Sequence, residues 1–301
     1  KFLKEMNSLG LPGVSLKAIP GTTCGISGTH IKVTVNGAEE TSPPSHDGHP
    51  HEHDDAHSHN HIHSHHHHHA SPGSIASIID TLSVPAGVKK HAQQVYDAIA
   101  QAEAKAHGCP VGDVHFHEVG ALDAVADVVG VSYALSLLDA DKIIVSPIHV
   151  GSGTVRCAHG VMPVPAPATA ALLTGIPIYG GNVQGELCTP TGAALLSHFA
   201  SSFGGMPVMS VEKTGIGIGT KVFEQANCVR VFFGESVEEE NAGITELTCN
   251  IDDMTPEALS FACAKLLELG ALDVYTVPGT MKKGRPGHVL TLLCSPEKER
   301  E

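Results

Sequence analysis

The sequence contains no tryptophan, and aromatic residues occupy only 4% of its 301 positions. A core must therefore be built mainly from Ala, Val, Leu and Ile. Basic residues are also scarce, because 18 Lys and Arg stand against 32 Asp and Glu, and without a basic excess we expect no nucleic-acid partner. No apolar run approaches the ~20 residues that cross a bilayer, and the N-terminus lacks the apolar region of a signal peptide. We therefore expect no membrane association.

Paired cysteines are absent as well. The eight cysteines are scattered singly, without a Cys-x-x-Cys pair, which is unlike a disulfide framework or a zinc ribbon. This usage is typical of reduced thiols and predicts a cytoplasmic protein.

Histidine is the residue in excess, with 22 positions against 18 for Lys and Arg together. Most of these lie in a segment of Ser, Pro, Asp, Gly and His at positions 37–73, which contains the tract His46–His69. Its few apolar residues do not offset the entropy lost on ordering, so we predict a disordered insert. A purification tag is the plain alternative for His65–His69, but the internal position and the interleaved acidic residues disfavour it.

The remaining pattern predicts an α/β (α+β) protein of two domains. A mixed-sheet N-terminal domain occupies 1–233 around the insert, an acidic linker occupies 234–243, and a second domain occupies 244–301. The second domain has a β-α-β-β order, which makes it a truncated, ferredoxin-like domain. Because the first residue is Lys and the last residues form a charged run, we expect both ends to be cuts through a longer protein.

Three local predictions concern the N-terminal domain. The glycine-rich segment Gly21–Gly28, between two predicted strands, is expected to be a loop whose backbone approaches a ligand. A buried strand is predicted at Lys142–Pro147, and a helix at Thr191–Phe203.

The densest group of ligand-type residues begins in a strand predicted at Val114–Val119. Alternation along a strand puts His115 and His117 on one face, and the helix predicted next carries Asp123 and Asp127 on one side. A mixture of imidazole and carboxylate suits Mn, Zn or Ni. The alternative is that the histidines face solvent and Asp123 caps the helix. We favour a metal or catalytic site because the neighbouring residues are apolar.

A second group surrounds the glycine loop that follows the strand predicted at 142–147. His149, Arg156 and His159 crowd this loop, and its backbone amides suit an anion. Either histidine is a candidate base, because imidazole titrates near neutrality, and Arg156 is a candidate partner for a phosphate. Thr189 and Thr191, at a later strand-to-helix corner, offer hydroxyls and helix-start amides to a phosphate, but ordinary capping explains them equally well.

In the second domain, Asp252 and Asp253 end the first strand, and Lys282, Lys283 and Arg285 lie in the loop between the last two. A right-handed β-α-β crossover makes the flanking strands parallel, so these groups meet at one edge of the sheet. Carboxylates for a divalent metal beside cations for phosphates suit a metal–nucleoside triphosphate. The alternative is a solvated basic hairpin with salt-bridged Asp.

Five motifs resemble the LarC family of pyridinium-3,5-bisthiocarboxylic acid mononucleotide nickel insertion proteins over nearly the whole chain. In order they are VHFHEVGALDAVADVVG, SPIHVGSGTVRCAHGVMPVPAPAT, GELCTPTGAALL, NIDDMTPE and MKKGRPG. The resemblance implies a nickel chelatase (cyclometallase) of the lyase class, which inserts Ni(II), as substrate metal, into a nickel-free dithiocarboxylate pyridinium mononucleotide. It also implies CTP bound with Mn or Mg in the C-terminal domain. The product would be the nickel-pincer cofactor of lactate racemase-type enzymes, with one Ni–C and two Ni–S bonds.

Two other functions use the same residues. A nickel-storage protein or metallochaperone without catalysis fits the His-rich tract, and a metal-dependent phosphohydrolase fits the acidic and basic groups. The His/Asp cluster and the Lys/Arg loop favour the insertion enzyme, because storage requires neither. We then expect the tract to buffer nickel, the product to pass to a lactate racemase-type apoenzyme, and the protein to be a homo-oligomer.

Overall fold

The structure, a computed structural model, describes residues 2–39, 70–116, 118–157, 160–236 and 243–299. The chain divides into two compact units, Lys1–Glu235 and Ser236–Glu301. The tract His46–His69, with most of the predicted insert, lies outside the described residues, as do the candidate ligand His117 and the candidate base His159.

Seven α-helices are found within the described ranges. They are α1 (Phe2–Met6), α2 (Pro72–Thr81), α3 (Ala86–His107), α4 (Leu122–Leu138), α5 (Pro167–Leu172), α6 (Pro190–Phe199) and α7 (Pro256–Glu268). None of these helices is both long enough and apolar enough to span a bilayer.

The described ranges also contain fifteen strands, many of them only two residues long. They are β1 (Val14–Thr23), β2 (Ile26–Val35), β3 (Ile144–Val145), β4 (Ile148–His149), β5 (Gly151–Ser152), β6 (Thr154–Cys157), β7 (Gly160–Pro163), β8 (Ile178–Tyr179), β9 (Gly185–Glu186), β10 (Ser202–Phe203), β11 (Met209–Ile218), β12 (Cys228–Ser236), β13 (Thr245–Ile251), β14 (Asp273–Thr280) and β15 (Pro286–Cys294).

Helix α3 is the centre of the first unit's core. Its apolar residues recur every three or four positions, so that Val88, Ala92, Val95 and Ile99 are each at most 1% exposed. The helix ends at Gly108, whose φ of 65° is the left-handed conformation typical of a helix terminus. Helices α2, α4, α5 and α6 all pack against α3, so α3 fixes the positions of the elements that carry the candidate site residues.

The largest sheet of the first unit is mixed and has the order β1-β2-β11-β12. Strands β1 and β2 are antiparallel, whereas β11 runs parallel to β2. Short pairs complete the unit: β3 with β10 and β4 with β8 are parallel, and β5 with β9 and β6 with β7 are antiparallel. This architecture confirms the predicted α/β class with a mixed sheet.

The second unit contains one three-stranded sheet and helix α7. The central strand is β15, which is antiparallel to both β13 and β14. The first and second strands of the unit therefore run parallel to each other on either side of the third, which is the arrangement expected for half of a ferredoxin-like fold.

The predicted glycine loop at Gly21–Gly28 is wrong. Strands β1 and β2 stay paired to Thr23 and Ile26, so that only Cys24 and Gly25 turn the chain. Both have positive φ, 47° and 79°, as a tight two-residue hairpin turn requires. The paired backbone of this segment is therefore not free to bind a ligand.

The predicted strand at Val114–Val119 is also wrong. Phe116 makes one isolated bridge with Ala70, and Glu118–Gly120 form a 3-10 turn. A Cβ atom at Gly120 would meet the Cβ atoms of Phe116 and Ala70, so the chain folds tightly over the buried Phe116 and does not extend along a sheet.

Two other boundaries are corrected. The strand predicted at Lys142–Pro147 is only Ile144–Val145, and Ile144 is 38% exposed where burial was predicted. The helix predicted at Thr191–Phe203 ends at Phe199, because Ser202–Phe203 pair with this strand as β10.

Candidate functional site

The predicted carboxylates lie in the first two turns of α4. Asp123 is in the first turn, where its Oδ1 accepts a hydrogen bond of 2.8 Å from the backbone N–H of Ala124. Asp127 follows one turn later. The hydroxyl of the buried Tyr96, on α3, donates to the carbonyl of Val119 at 3.2 Å, which ties this phenol to the segment that leads into α4.

The three acidic groups interact electrostatically. Protein atoms packed around the carboxyl group, together with the charge of Asp123, raise the pKa of Asp127 from 3.8 to about 6, although part of the Asp127 residue is open to solvent. Burial, then the charges of Asp127 and Asp123, raise the pKa of Tyr96. A cation bound here would relieve the repulsion between the carboxylates.

The histidine part of the predicted metal centre is only partly described. His115 is exposed, between the buried Val114 and Phe116. Among the described residues, no group of three or more His, Cys, Asp or Glu side chains is arranged to hold a metal ion. Because His117 is not among those residues, the four-ligand centre of His115, His117, Asp123 and Asp127 stays a prediction.

We expect Asp127→Asn to change how stability depends on pH. The folded-state pKa of about 6 lies above the ordinary 3.8, so the folded protein binds the proton more tightly than the unfolded chain does. Asp127 therefore stabilises the fold most below about pH 4, and this contribution is lost as the pH rises towards 6. Urea denaturation from pH 3.5 to 7 should show a smaller decline for Asp127→Asn than for the wild type. Asp97→Asn, on the exposed side of α3, is the control, and an equal change in both variants would contradict the assignment.

The imidazole of His149 is fixed on three sides. Its Nε2–H donates to the carbonyl of Gly180 at 2.6 Å, and its Nδ1 is 3.3 Å from the Nε2 of Gln225. The ring stacks on Tyr179, with centroids 4.5 Å apart and planes 10° from parallel. A Cβ atom at Gly181 would overlap the Nε2 of the imidazole. Because a carbonyl oxygen only accepts, Nε2 carries the proton of the neutral ring, and the electron pair of Nδ1 faces the carboxamide of Gln225.

Gln225 belongs to a loop, residues 219–227, that connects β11 to β12. The tip of the β1–β2 hairpin holds this loop: the Cys24 thiol donates to the carbonyl of Glu224 at 3.4 Å, and the hydroxyl of Thr23 accepts from the N–H of Asn227 at 3.3 Å. The hairpin that replaces the predicted glycine loop is thus a support for the residues around His149.

A cleft of about 420 Å³ opens at Gln225, the residue that contacts this imidazole. The cleft is lined by Asn182, Val183, Gln184, Phe223, Glu224 and Gln225. The side of the cleft formed by residues 182–184 is anchored to β5 by two hydrogen bonds. Gln184 donates to the hydroxyl of Ser152 at 3.1 Å, and that hydroxyl donates to the carbonyl of Val183 at 2.8 Å. The volume is in the ~300–1,000 Å³ range of small-molecule sites.

Gly151→Ala is expected to destabilise the first unit by about 1–3 kcal/mol. Gly151 has a φ of 89°, and an added Cβ atom would overlap the carbonyl oxygen of Gly185. Gly175→Ala is the matched control, since its φ is 83° but no atom lies within 4 Å of the added Cβ. Urea denaturation measures both. Equal losses would mean that backbone conformation, and not the overlap with β9, makes Gly151 necessary.

The other residues predicted near His149 have separate positions. Arg156 is exposed on β6, opposite Val161 of β7. Thr189 is the N-cap of α6, where its hydroxyl accepts from the N–H of Gly192 at 3.3 Å, and Thr191 is half-buried in the first turn. The capping alternative for Thr189 is therefore seen directly, and phosphate binding by either threonine stays a prediction.

In the second unit, Asp252 and Arg285 are brought together, with 3.5 Å between Oδ2 and Nη1. Asp253, Lys282 and Lys283 are exposed, and Lys283 has a φ of 64° in a 3-10 turn. Two carboxylates at the end of β13 fit a Mg or Mn ion that takes its other ligands from phosphates and water.

The sequence did not reveal the partners of His149. Tyr179 and Gln225 lie 30 and more residues from it in the chain and carry no motif. For Gln225, the sequence offered one indication: turn-forming residues between the last two strands of the first unit predict a loop. They do not show which other segments this loop contacts.

The family described as nickel insertion protein matches residues 1–301. The chain belongs to this family. No solved structure matches it. A pyridinium-3,5-bisthiocarboxylic acid mononucleotide nickel insertion protein of Acetivibrio thermocellus is 44% identical over 304 residues, which cover 100% of this chain and 70% of that protein.

Two further relatives with the same name have similar identity over part of the chain. The Desulfitobacterium hafniense protein is 44% identical over 75% of this chain and 58% of its own length. The Staphylococcus epidermidis protein is 46% identical over 73% of this chain and 56% of its own length. The chain thus matches between 56% and 70% of the length of these relatives.

Proposed function

We propose that this chain inserts Ni(II) into pyridinium-3,5-bisthiocarboxylic acid mononucleotide, in a CTP-dependent reaction that forms the nickel-pincer cofactor of lactate racemase-type enzymes. The observation that carries the proposal is the 44% identity to a relative of that name over the whole of this chain. In reaction class this is a nickel chelatase or cyclometallase, a lyase. The product would pass to a lactate racemase-type apoenzyme, and the working form would be a homo-oligomer.

The reaction requires a base. One Ni–C bond and two Ni–S bonds form, and the pyridinium carbon must lose its hydrogen as a proton. The electron pair of the C–H bond becomes the Ni–C bond, so nickel remains Ni(II). His149 supports this role because its proton is held on Nε2 by the carbonyl of Gly180 at 2.6 Å, which leaves Nδ1 able to accept. His159 is the other candidate, and Arg156 is the candidate partner of the substrate phosphate.

Nickel must be presented with open coordination positions. His115, His117, Asp123 and Asp127 are the proposed residues, and the raised pKa of Asp127 beside Asp123 supports a cation at this place. In the second unit, Asp252 and Asp253 would hold the Mg or Mn ion of CTP. Lys282, Lys283 and Arg285 would bind its phosphates, while Thr189 and Thr191 of the first unit are candidates for a phosphate there.

Incubation with Ni(II), CTP, Mg and the nickel-free mononucleotide tests the proposal and its alternatives. We expect a nickel-bound product, detected by mass spectrometry, that activates a lactate racemase-type apoenzyme. Nickel uptake without product would indicate a storage protein or metallochaperone, and CTP hydrolysis that does not need the mononucleotide would indicate a phosphohydrolase.

His115→Ala separates insertion from storage. It should abolish product formation and leave the number of nickel ions bound by the His-rich tract nearly unchanged, as measured by equilibrium dialysis. Equal loss of both would contradict the assignment of nickel presentation to His115.

A further inference from the structure

The cleft beside His149 has a chemical character of its own. Its lining contains one carboxylate, one aromatic ring and three carboxamides, from Glu224, Phe223 and the group Asn182, Gln184 and Gln225. Among the described residues that line it, none is Lys or Arg. Negative charge, an aromatic ring and hydrogen-bonding amides without a competing cation suit a planar, positively charged ring.

We propose that this cleft binds the pyridinium ring of the mononucleotide, and that Gln225 is a positioning residue for His149; the inference rests on the proposed function. The ring cation would lie near Glu224 and the ring of Phe223. The carboxamides of Asn182 and Gln184 would donate hydrogen bonds to the thiocarboxylates.

The orientation of His149 follows from its neighbours. The stack on Tyr179 and the hydrogen bond to Gly180 hold the imidazole in one orientation, and the missing side chain at Gly181 leaves room for its Nε2. Nδ1 therefore remains on the side of Gln225, which itself lines the cleft. The contact of 3.3 Å between these residues is longer than the ~2.9–3.0 Å of a typical N–H···acceptor bond, so Gln225 orients Nδ1 without occupying it strongly.

A carboxamide suits both protonation states of the base. In the free protein, the NH₂ group of Gln225 donates to Nδ1. Because Nδ1 has a single electron pair, this group must move aside as the pyridinium C–H approaches. When Nδ1 takes the proton of the pyridinium carbon, it becomes a donor and needs an acceptor. Half a turn of the carboxamide then presents its oxygen. The C–H electron pair forms the Ni–C bond, and the only transferred proton is on His149.

Binding of the mononucleotide, measured by calorimetry without nickel or CTP, tests the ring site in the full chain. Phe223→Leu keeps an apolar side chain but removes the ring, and Glu224→Gln removes the charge. Each should weaken binding ~10-fold, as expected for one cation–π or partly desolvated charge contact. Val222→Ala and Glu212→Gln are the matched controls, because both residues are exposed and neither lines the cleft. Their binding should match that of the wild type.

Gln225 is tested by readouts that a purely structural role would not move. Gln225→Leu should lower kcat ~10-fold or more, with a smaller effect on KM, if it misorients the base. In Gln225→Glu, the carboxylate accepts a hydrogen bond from the ring of His149 but does not donate one, so it stabilises the imidazolium form. The rise of kcat with pH should therefore move to higher pH. Nitrogen NMR of His149 should show the proton on Nε2 in the wild type, and a mixture of tautomers in Gln225→Leu.

The outcomes separate this inference from the proposed function. If the wild type binds the mononucleotide and forms product while the Phe223, Glu224 and Gln225 variants behave as wild type, the ring site is wrong and the proposed function stands. If the variants weaken binding but the wild type never forms product, the ring site stands and the proposed function fails. If the wild type does not bind the mononucleotide, both are overturned.

Discussion

Replacement of His149 by Gln should lower the rate of nickel insertion by about 10²–10⁴-fold, the usual contribution of a general base. Glutamine keeps the hydrogen-bonding capacity of the side chain but does not take up a proton near neutral pH. The fixed tautomer, with Nε2–H on the carbonyl of Gly180 at 2.6 Å, makes this a loss of chemistry more than of binding. The measurement is single-turnover product formation with saturating mononucleotide, together with its Kd.

The control for this prediction is His107→Ala, an exposed histidine at the end of α3 that pairs with Glu103. It should insert nickel at the wild-type rate. A His149→Gln variant with the wild-type rate would remove His149 as the base and leave His159 as the remaining candidate. Loss of mononucleotide binding with an unchanged single-turnover rate would instead make His149 a binding residue.

Arg285→Ala should raise the Kd for CTP about 10–100-fold, because a hydrogen bond to a charged group is worth about 1.5–3 kcal/mol. The guanidinium is exposed and pairs only loosely with Asp252, at 3.5 Å, so little holds it back from a phosphate. Calorimetry with CTP and Mg measures the change. Lys265→Ala, on the exposed surface of α7 beside Glu268, is the control and should bind CTP normally.

Asp252→Asn tests whether this pair is a nucleotide site or an ordinary salt bridge, because the two roles predict changes of opposite sign in the affinity for CTP. If Asp252 holds the metal of CTP, Asp252→Asn weakens binding by about tenfold or more. If Asp252 only pairs with Arg285, its removal frees the guanidinium and binding becomes tighter. We expect the first result, with a dependence on Mg that is steeper in the wild type than in the variant.

Local sequence patterns correctly predicted the elements in which apolar residues recur at regular intervals over many positions. The apolar residues of α3, and the Pro85 and Gly108 that bound it, need only neighbours along the chain to specify a helix. The β-α-β-β order of the second unit was equally clear. Thr255 marks the start of α7 as its N-cap, one strand precedes the helix, and two follow it. From that order, the approach of Asp252 to Arg285 could be anticipated.

Where apolar and polar residues alternate over only a few positions, the local pattern predicted a strand that does not form. Val114 and Phe116 are buried on either side of the exposed His115, as in a strand, yet the described residues of this segment form a single bridge, between Phe116 and Ala70. A strand requires a partner, and the sequence around these residues carries no information about where a partner lies. The glycines of Gly21–Gly28 likewise indicated a free loop, because glycine spacing does not show whether the backbone is paired.

Histidine type and spacing, with the family resemblance, were enough to indicate nickel chemistry and to name His149, along with His159, as a candidate base. They did not determine which nitrogen of the His149 imidazole carries the proton, or that Tyr179, Gly180 and Gln225 surround it. Those facts come from the folded chain alone, since they join segments that are 30 to 76 residues apart. The physical reason is that a side chain's proton and orientation are set by its contacts in space, whereas helices and strand order follow from neighbours along the chain.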